Sequence, residues 1–299
     1  MMPYAIECIN ISKNYGKTNA LSDVNMKIQK DKIYGLLGRN GAGKSTLLNI
    51  ISAQVFPSDG AVKVFGEAPY ENEKALKNLC MVKESGMFLK DVKVEDALSI
   101  ASYFYPNWDK NLAKRLLDDF ELDEKKEYKN LSLGMKSQLG IITGLSSRAP
   151  LTIFDEPYIG LDAAGRQLFY DVLIEDYMEN PRTIILSTHL IDEVSNLLEE
   201  IIILHKGSVK LEGNSDDIKK KAFYIIGMKD QVEKHISNKK VLHREEFGKN
   251  LAAVTFDEIS DNEINAMKAE DLSVNSVPLQ QLFIHLTGGK IIKRGDINE

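Results

Sequence analysis

The stretch Gly38-Arg39-Asn40-Gly41-Ala42-Gly43-Lys44-Ser45-Thr46 decides how the chain is read. An apolar run, Ile33-Tyr34-Gly35-Leu36-Leu37, leads into it, and Leu47-Leu48-Asn49-Ile50-Ile51 continues at helical spacing. Strand, glycine loop, helix is the context in which this pattern becomes a phosphate cradle, and a chance glycine turn rarely has both flanks. Glycines let the backbone curl until successive N–H groups face inward, and the helix N-terminus adds its partial positive charge. In such a loop Lys44 reaches the β- and γ-phosphates of a nucleoside triphosphate, and the Ser45 hydroxyl is placed to ligate Mg2+. Gly38, Asn40, Gly41, Ala42, Gly43, Lys44, Ser45 and Thr46 are therefore the primary binding candidates.

Upstream, Tyr4 to Ile11 and Ala20 to Ile28 alternate like half-exposed antiparallel strands, with the turn-rich link Lys13-Asn14-Tyr15-Gly16-Lys17 between them. Tyr15 is the one exposed-looking aromatic of that link; it either stacks on a base or packs a turn. Downstream, Pro57-Ser58-Asp59-Gly60 forms a turn, Ala61 to Gly66 a strand, and Leu79 to Glu84 a further strand ending in a carboxylate. From Val94 to Lys126 the period becomes helical, with Pro106-Asn107-Trp108-Asp109 dividing two helices and Asp109 capping the second. This is an inserted helical subdomain at about residues 90–146. It feeds into Leu131-Ser132-Leu133-Gly134-Met135-Lys136-Ser137-Gln138-Leu139, which opens an amphipathic helix and reads either as a capped start or as a second anion-binding end.

The next stretch is sharper. Leu151-Thr152-Ile153-Phe154-Asp155-Glu156 is a buried-type parallel strand ending in two carboxylates, and Pro157 follows. Acidic residues at the C-terminal edge of such a strand lie beside the glycine loop in a doubly wound sheet. Asp155 there is suited to hold Mg2+ and Glu156 to polarise the water that attacks the γ-phosphorus. Arg182 to His189 is another buried strand, ending in a histidine at the same edge and followed by a predicted helix from Leu190 to Leu198.

Composition narrows the remaining classes. The 299 residues are 43% hydrophobic and 27% charged, enough to bury a core, and length suggests one large and one smaller domain. A net charge of −6 argues against a nucleic-acid surface. No apolar run of about 18 residues exists to enter a membrane, and the start carries no signal-peptide pattern. Cys8 and Cys80 are too few for a disulfide framework, and the five histidines lack ligand spacing.

Lys44, Ser132-Gly134, Asp155-Glu156 and His189, with a helical insert after the first, resemble the ATP-binding subunit of an ABC transporter over roughly residues 3–215. The resemblance implies an α/β fold: a RecA-like P-loop NTPase core, an antiparallel β subdomain and a helical subdomain. It implies ATP and Mg2+ as cofactors, Tyr15 as the adenine-stacking aromatic, Glu156 as general base and His189 as γ-phosphate sensor. It also implies head-to-tail pairing with a second ATP-binding subunit, each ATP lying between one glycine loop and the partner's Ser132-Leu133-Gly134, with Asp162 in a dimer-contacting loop. A separate transmembrane permease would hold the chain at the cytoplasmic face of the membrane. Leu131 to Lys136, Tyr105 to Asp109 and Leu282 to Gly289 resemble bacterial exporter ATPases linked to antibiotic resistance or GntR operons. A non-transport ABC ATPase and an ATP-sensing regulator remain the alternatives.

Two departures from the family pattern stand out. Leu133 and Met135 replace a Gly and a Gln of the usual Leu-Ser-Gly-Gly-Gln. Glu84 stands where a Gln commonly contacts Mg2+ or the attacking water, so it is carried as a catalytic and metal candidate with altered charge. Beyond residue 214 the pattern reads strand, helix, strand, strand, helix, strand, then a closing helix Leu279 to Leu286: a ferredoxin-like α+β domain over 215–299 without catalytic spacing.

Overall fold

The computed structural model describes residues 4–83 and 87–288. Along the chain, β1 (Tyr4–Tyr15), β2 (Thr18–Gln29) and β3 (Ile33–Leu37) precede α1 (Lys44–Ile51). Then come β4 (Asp59–Val64), α2 (Glu73–Leu76), β5 (Leu79–Val82), α3 (Val94–Phe104), α4 (Lys110–Asp119) and α5 (Leu133–Ser147). β6 (Leu151–Asp155), α6 (Ala163–Glu179), β7 (Thr183–Thr188), α7 (Ile191–Val194), β8 (Glu200–His205) and β9 (Ser208–Asn214) follow. The remainder is α8 (Ser215–Lys219), β10 (Ala222–Met228), α9 (Lys229–Ile236), β11 (Val241–Phe247), β12 (Asn250–Phe256), α10 (Asp261–Ala269), β13 (Ser273–Ser276) and α11 (Leu279–Leu286).

The central sheet has the order β5-β6-β7-β3-β8-β9, and the pairs around β3 are parallel. Every residue of β3, β6 and β7 is buried, which is why these strands read as unbroken apolar runs. Register then decides where the chemistry collects. Leu37 pairs with Thr188, and Asp155 with Ser187, so the strand ends before the glycine loop, before Glu156 and before His189 share one edge. The antiparallel sheet β2-β1-β4 covers the core cluster of Ile6, Leu21, Leu47, Leu48, Ile153 and Ile202.

The contacts divide the chain into two compact units, residues 1–189 with 196–212, and residues 190–195 with 213–299. The second is built on the antiparallel sheet β11-β12-β10-β13, the strand order of a ferredoxin-like fold, with α9 and α10 contributing Val232, Ile236 and Met267 to a core with Ile225, Leu251 and Ala253.

Three local expectations differ from the structure. The link at 13–17 contracts to a two-residue turn, because β1 stays paired to its end with Asn14 opposite Asn19 and Tyr15 opposite Thr18. The helix expected over Leu190 to Leu198 is the single turn α7: Leu198 is drawn out of it to pack on the bare backbone of Gly35, and Glu199 pairs with Ile33 through its N–H. Helix α5 is not amphipathic. From Ser137 to Ser147 every residue but Gln138 is buried, so it runs through the first unit as a central helix.

Candidate functional site

The glycine loop closes α1 from below with an unusual start. Gly43 is the N-cap residue at φ +105°, and a Cβ there would sit 2.7 Å from the Ala20 carbonyl. No side chain caps the helix and no acidic residue occupies its first turn. The amides that a capped helix would satisfy internally are therefore presented to whatever enters from outside. Lys44 is buried, and its Nζ donates to the Gly38 carbonyl at 2.7 Å, folding the side chain back over the loop. Residues 39–46, Glu156, Ile159 and His189 line one cleft of about 400 Å3. An anion in that cleft meets helix-end amides and a buried ammonium group.

Across the cleft, Glu156 has a left-handed backbone, φ +51°, a costly conformation for a residue with a side chain. Its N–H is tied to the Ser187 carbonyl at 3.0 Å. The carboxylate consequently faces two ways. Oε1 lies 3.5 Å from Lys44 Nζ, while Oε2 lies 2.9 Å from His189 Nδ1. A carboxylate accepts only, so that second bond puts a proton on Nδ1. Asp155, one residue earlier, is 8% exposed, and its Oδ1 is buried with no hydrogen-bond partner among the described residues. Lys83 lies near it; burial lowers the pKa of that ammonium, and the Asp155 charge opposes the shift.

The structure thus brings Gly41 to Thr46, Glu156 and His189 together around one cleft, with Asp155 just beneath. Tyr15 lies outside that lining; it is 48% exposed, with the Lys13 ammonium 5.1 Å above its ring. Ser132 and Gly134 also lie elsewhere. Ser132 caps α5, its Oγ accepting from Met135 N at 3.2 Å. Gly134 meets another backbone: a Cβ there would fall 2.4 Å from the Gly160 carbonyl, and Ser137 Oγ donates to the neighbouring Ile159 carbonyl at 2.6 Å. The start of α5 is therefore seated on the loop that follows Glu156. Asp162 caps α6, accepting from Gly165 N at 2.8 Å. Glu84 lies outside the described residues.

Tyr158 is the site residue that the sequence reading passed over. It is 5% exposed, and its hydroxyl bonds Glu156 Oε2, Thr188 Oγ1 at 2.6 Å and the His189 N–H at 3.2 Å. A tyrosine two residues after a catalytic-type carboxylate, able to reach the next strand end, was the available signal. Burial first, and the Glu156 hydrogen bond second, push its pKa up, so the phenol keeps its proton.

Comparison with known proteins agrees with this geometry. The family model described as ABC transporter matches residues 21–159. The chain is 33% identical over 224 residues to the bacitracin transport ATP-binding protein BcrA of Enterococcus faecalis, covering 74% of this chain and 73% of that protein. It is also 33% identical over 209 residues to the lantibiotic transport ATP-binding protein SrtF of Streptococcus pyogenes, covering 69% and 90% respectively. A solved structure of the ATP binding subunit of an ABC transporter matches with a TM-score of 0.65 at 28% identity, over 72% of this chain and 92% of that one. With a glycine-loop cleft, an acidic strand end and relatives of this identity and coverage, the chain belongs to the ATP-binding subunits of the ABC transporter family.

Proposed function

We propose that the chain hydrolyses ATP at the glycine-loop cleft, using Glu156 as base, to power a separate membrane-spanning permease of an exporter. The observation that carries this is the convergence of Lys44, Glu156 and His189 on one helix end. Lys44 exchanges the Gly38 carbonyl for phosphate oxygens, and the α1 amides add their partial charge. Glu156 takes the proton of the attacking water, and His189 meets the γ-phosphate. Mg2+ fits the oxygen donors Ser45 and Asp155, since Asp155 Oδ1 is buried and has no partner among the described residues, and when bound the ion would neutralise phosphate charge. Tyr15 is the candidate for stacking on the base.

Completion of the site needs a second ATP-binding subunit, whose Ser132 would reach the γ-phosphate from the opposite side. Closing that pair, and reopening it once the shared γ-phosphate is gone, is the motion available to do work. Among the described residues no helix is long and apolar enough to cross a membrane. In this reading the work is delivered to a separate permease chain. A surface for it exists on the first unit: Ile100, Tyr103 and Phe104 are exposed at the end of α3, beside a cleft of about 400 Å3 that also takes in Met81 and Phe88. Through that permease the chain would sit at the cytoplasmic face of the membrane. The relatives named for bacitracin and lantibiotic transport support an exporter.

The test is steady-state phosphate release by the purified chain. Glu156→Gln should retain ATP affinity within a few-fold and lose about 10²- to 10³-fold in kcat. Hydrolysis near the wild-type rate in that variant contradicts the assignment.

A further inference from the structure

We propose that Tyr158 is a positioning residue for hydrolysis, its phenol locking the Glu156 carboxylate and the His189 backbone into one geometry. The inference rests on Glu156 acting as base, and it adds a residue that the chemistry of that base requires.

Hydrogen bookkeeping leaves one arrangement once the His189 Nδ1 proton, whose nitrogen lies 3.4 Å from the phenol oxygen, is given to the nearer Glu156 Oε2 at 2.9 Å. Tyr158 has a single hydroxyl proton and lone pairs that can accept. The His189 N–H can only donate, so it spends one lone pair at 3.2 Å. The carboxylate of Glu156 can only accept, so it takes the phenolic proton on Oε2. Thr188 Oγ1, 2.6 Å away, must then donate to the phenol. The chain of bonds therefore runs from Thr188 through Tyr158 to Glu156, and each member has the polarity its neighbour needs.

The consequence is a division of labour between the two carboxylate oxygens. Oε2 is held by Tyr158 and by His189 Nδ1 at 2.9 Å, leaving Oε1 as the oxygen turned toward Lys44 and the phosphate side of the cleft. A glutamate side chain left to itself samples several rotamers, and a base displaced by about 1 Å can lose on the order of 10²-fold in rate. The lock is itself held by packing and hydrogen bonds. The Tyr158 ring is buried and meets the His189 ring edge-on at a centroid distance of 6.0 Å. The loop beneath it is pinned by the Tyr158 carbonyl accepting from Leu161 N at 3.0 Å, and by Ser137 Oγ donating to Ile159 O. Because α5 is seated on this same loop, the lock sits in the segment against which a protomer's own Ser132 helix end packs.

Steady-state kinetics on the full chain test this with Tyr158→Phe, Glu156→Gln and the double variant. Tyr158→Phe keeps the ring and removes the hydroxyl; kcat should fall about 10- to 30-fold, with KM for ATP within twofold. In the Glu156→Gln background the same change should alter the residual rate less than twofold, because its effect travels through the carboxylate. Thr188→Val, one bond further away, should lower kcat by a smaller factor than Tyr158→Phe, and it supplies the test should the tyrosine variant fold poorly. A Tyr158→Phe kcat within twofold of wild type, beside an inactive Glu156→Gln, overturns the lock and leaves the base assignment standing. An equal loss in both backgrounds also overturns it. Wild-type turnover in Glu156→Gln overturns the base assignment and the lock together.

Discussion

Two helices in this molecule begin at a glycine-marked turn that looks alike in sequence, and they use their N-terminal ends differently. Helix α1 starts at Gly43 in the left-handed region with no side-chain cap, whereas α5 starts at Ser132, whose hydroxyl closes the first turn by accepting from Met135 N. The first end is open to an incoming anion within a single protomer. The second is self-satisfied, and its glycine serves another purpose: Gly134 lets two backbones touch at Gly160. The cap and a role toward a partner's phosphate are compatible, because capping uses an acceptor lone pair of Ser132 and leaves the hydroxyl proton to donate. In the function proposed above, one helix end would be a complete half-site, and the other a contribution acting only when a second subunit presents its nucleotide.

Substitutions at the two ends should separate these roles. The largest effect belongs to the open end. Lys44→Ala removes the buried ammonium and should weaken ATP binding about 10- to 100-fold in an equilibrium titration. Unchanged affinity would break the comparison at its stronger side. Next comes Gly134→Ala, which forces a Cβ against the Gly160 carbonyl and should cost about 1–3 kcal/mol of stability in denaturant melts, with ATP affinity of the folded protein retained. A variant as stable as wild type would show that the contact gives way freely. Smallest is Ser132→Ala, for which loss of the cap should cost about 1 kcal/mol. Its kcat should fall without a change in nucleotide affinity measured on dilute protomers, and a loss of that affinity would place Ser132 in its own subunit's site instead.

The reach of sequence reasoning follows from the same contrast. The glycine loop, the strand end at Asp155-Glu156 and the strand end at His189 were legible because each is fixed by local chemistry: a buried apolar run, then a residue type with one use at a sheet edge. The antiparallel pairing of β1 with β2 and the βαββαβ order of the second unit were legible for the same reason, since periodicity and turn residues carry them. Long-range packing was not. Nothing near Leu190 announces that Leu198 will leave its helix to lie on Gly35, and nothing in the α5 segment announces that its stretch from Ser137 to Ser147 will be buried at every residue but Gln138. Tyr158 escaped because its partners, Thr188 and His189, lie about 30 residues downstream and meet it only when β6 and β7 pair. Gly134 was assigned to phosphate from its motif, and its contact with Gly160 depends on a loop packing that spacing cannot express.

The central claim is that one ATP joins the open helix end of one subunit to the capped helix end of another. Sedimentation velocity of purified Glu156→Gln with Mg2+ and ATP tests it most directly. The account predicts a species of twice the 33.6 kDa chain mass that forms with ATP and does not form with ADP. A protein that binds ATP to saturation and still sediments as a single chain would contradict it.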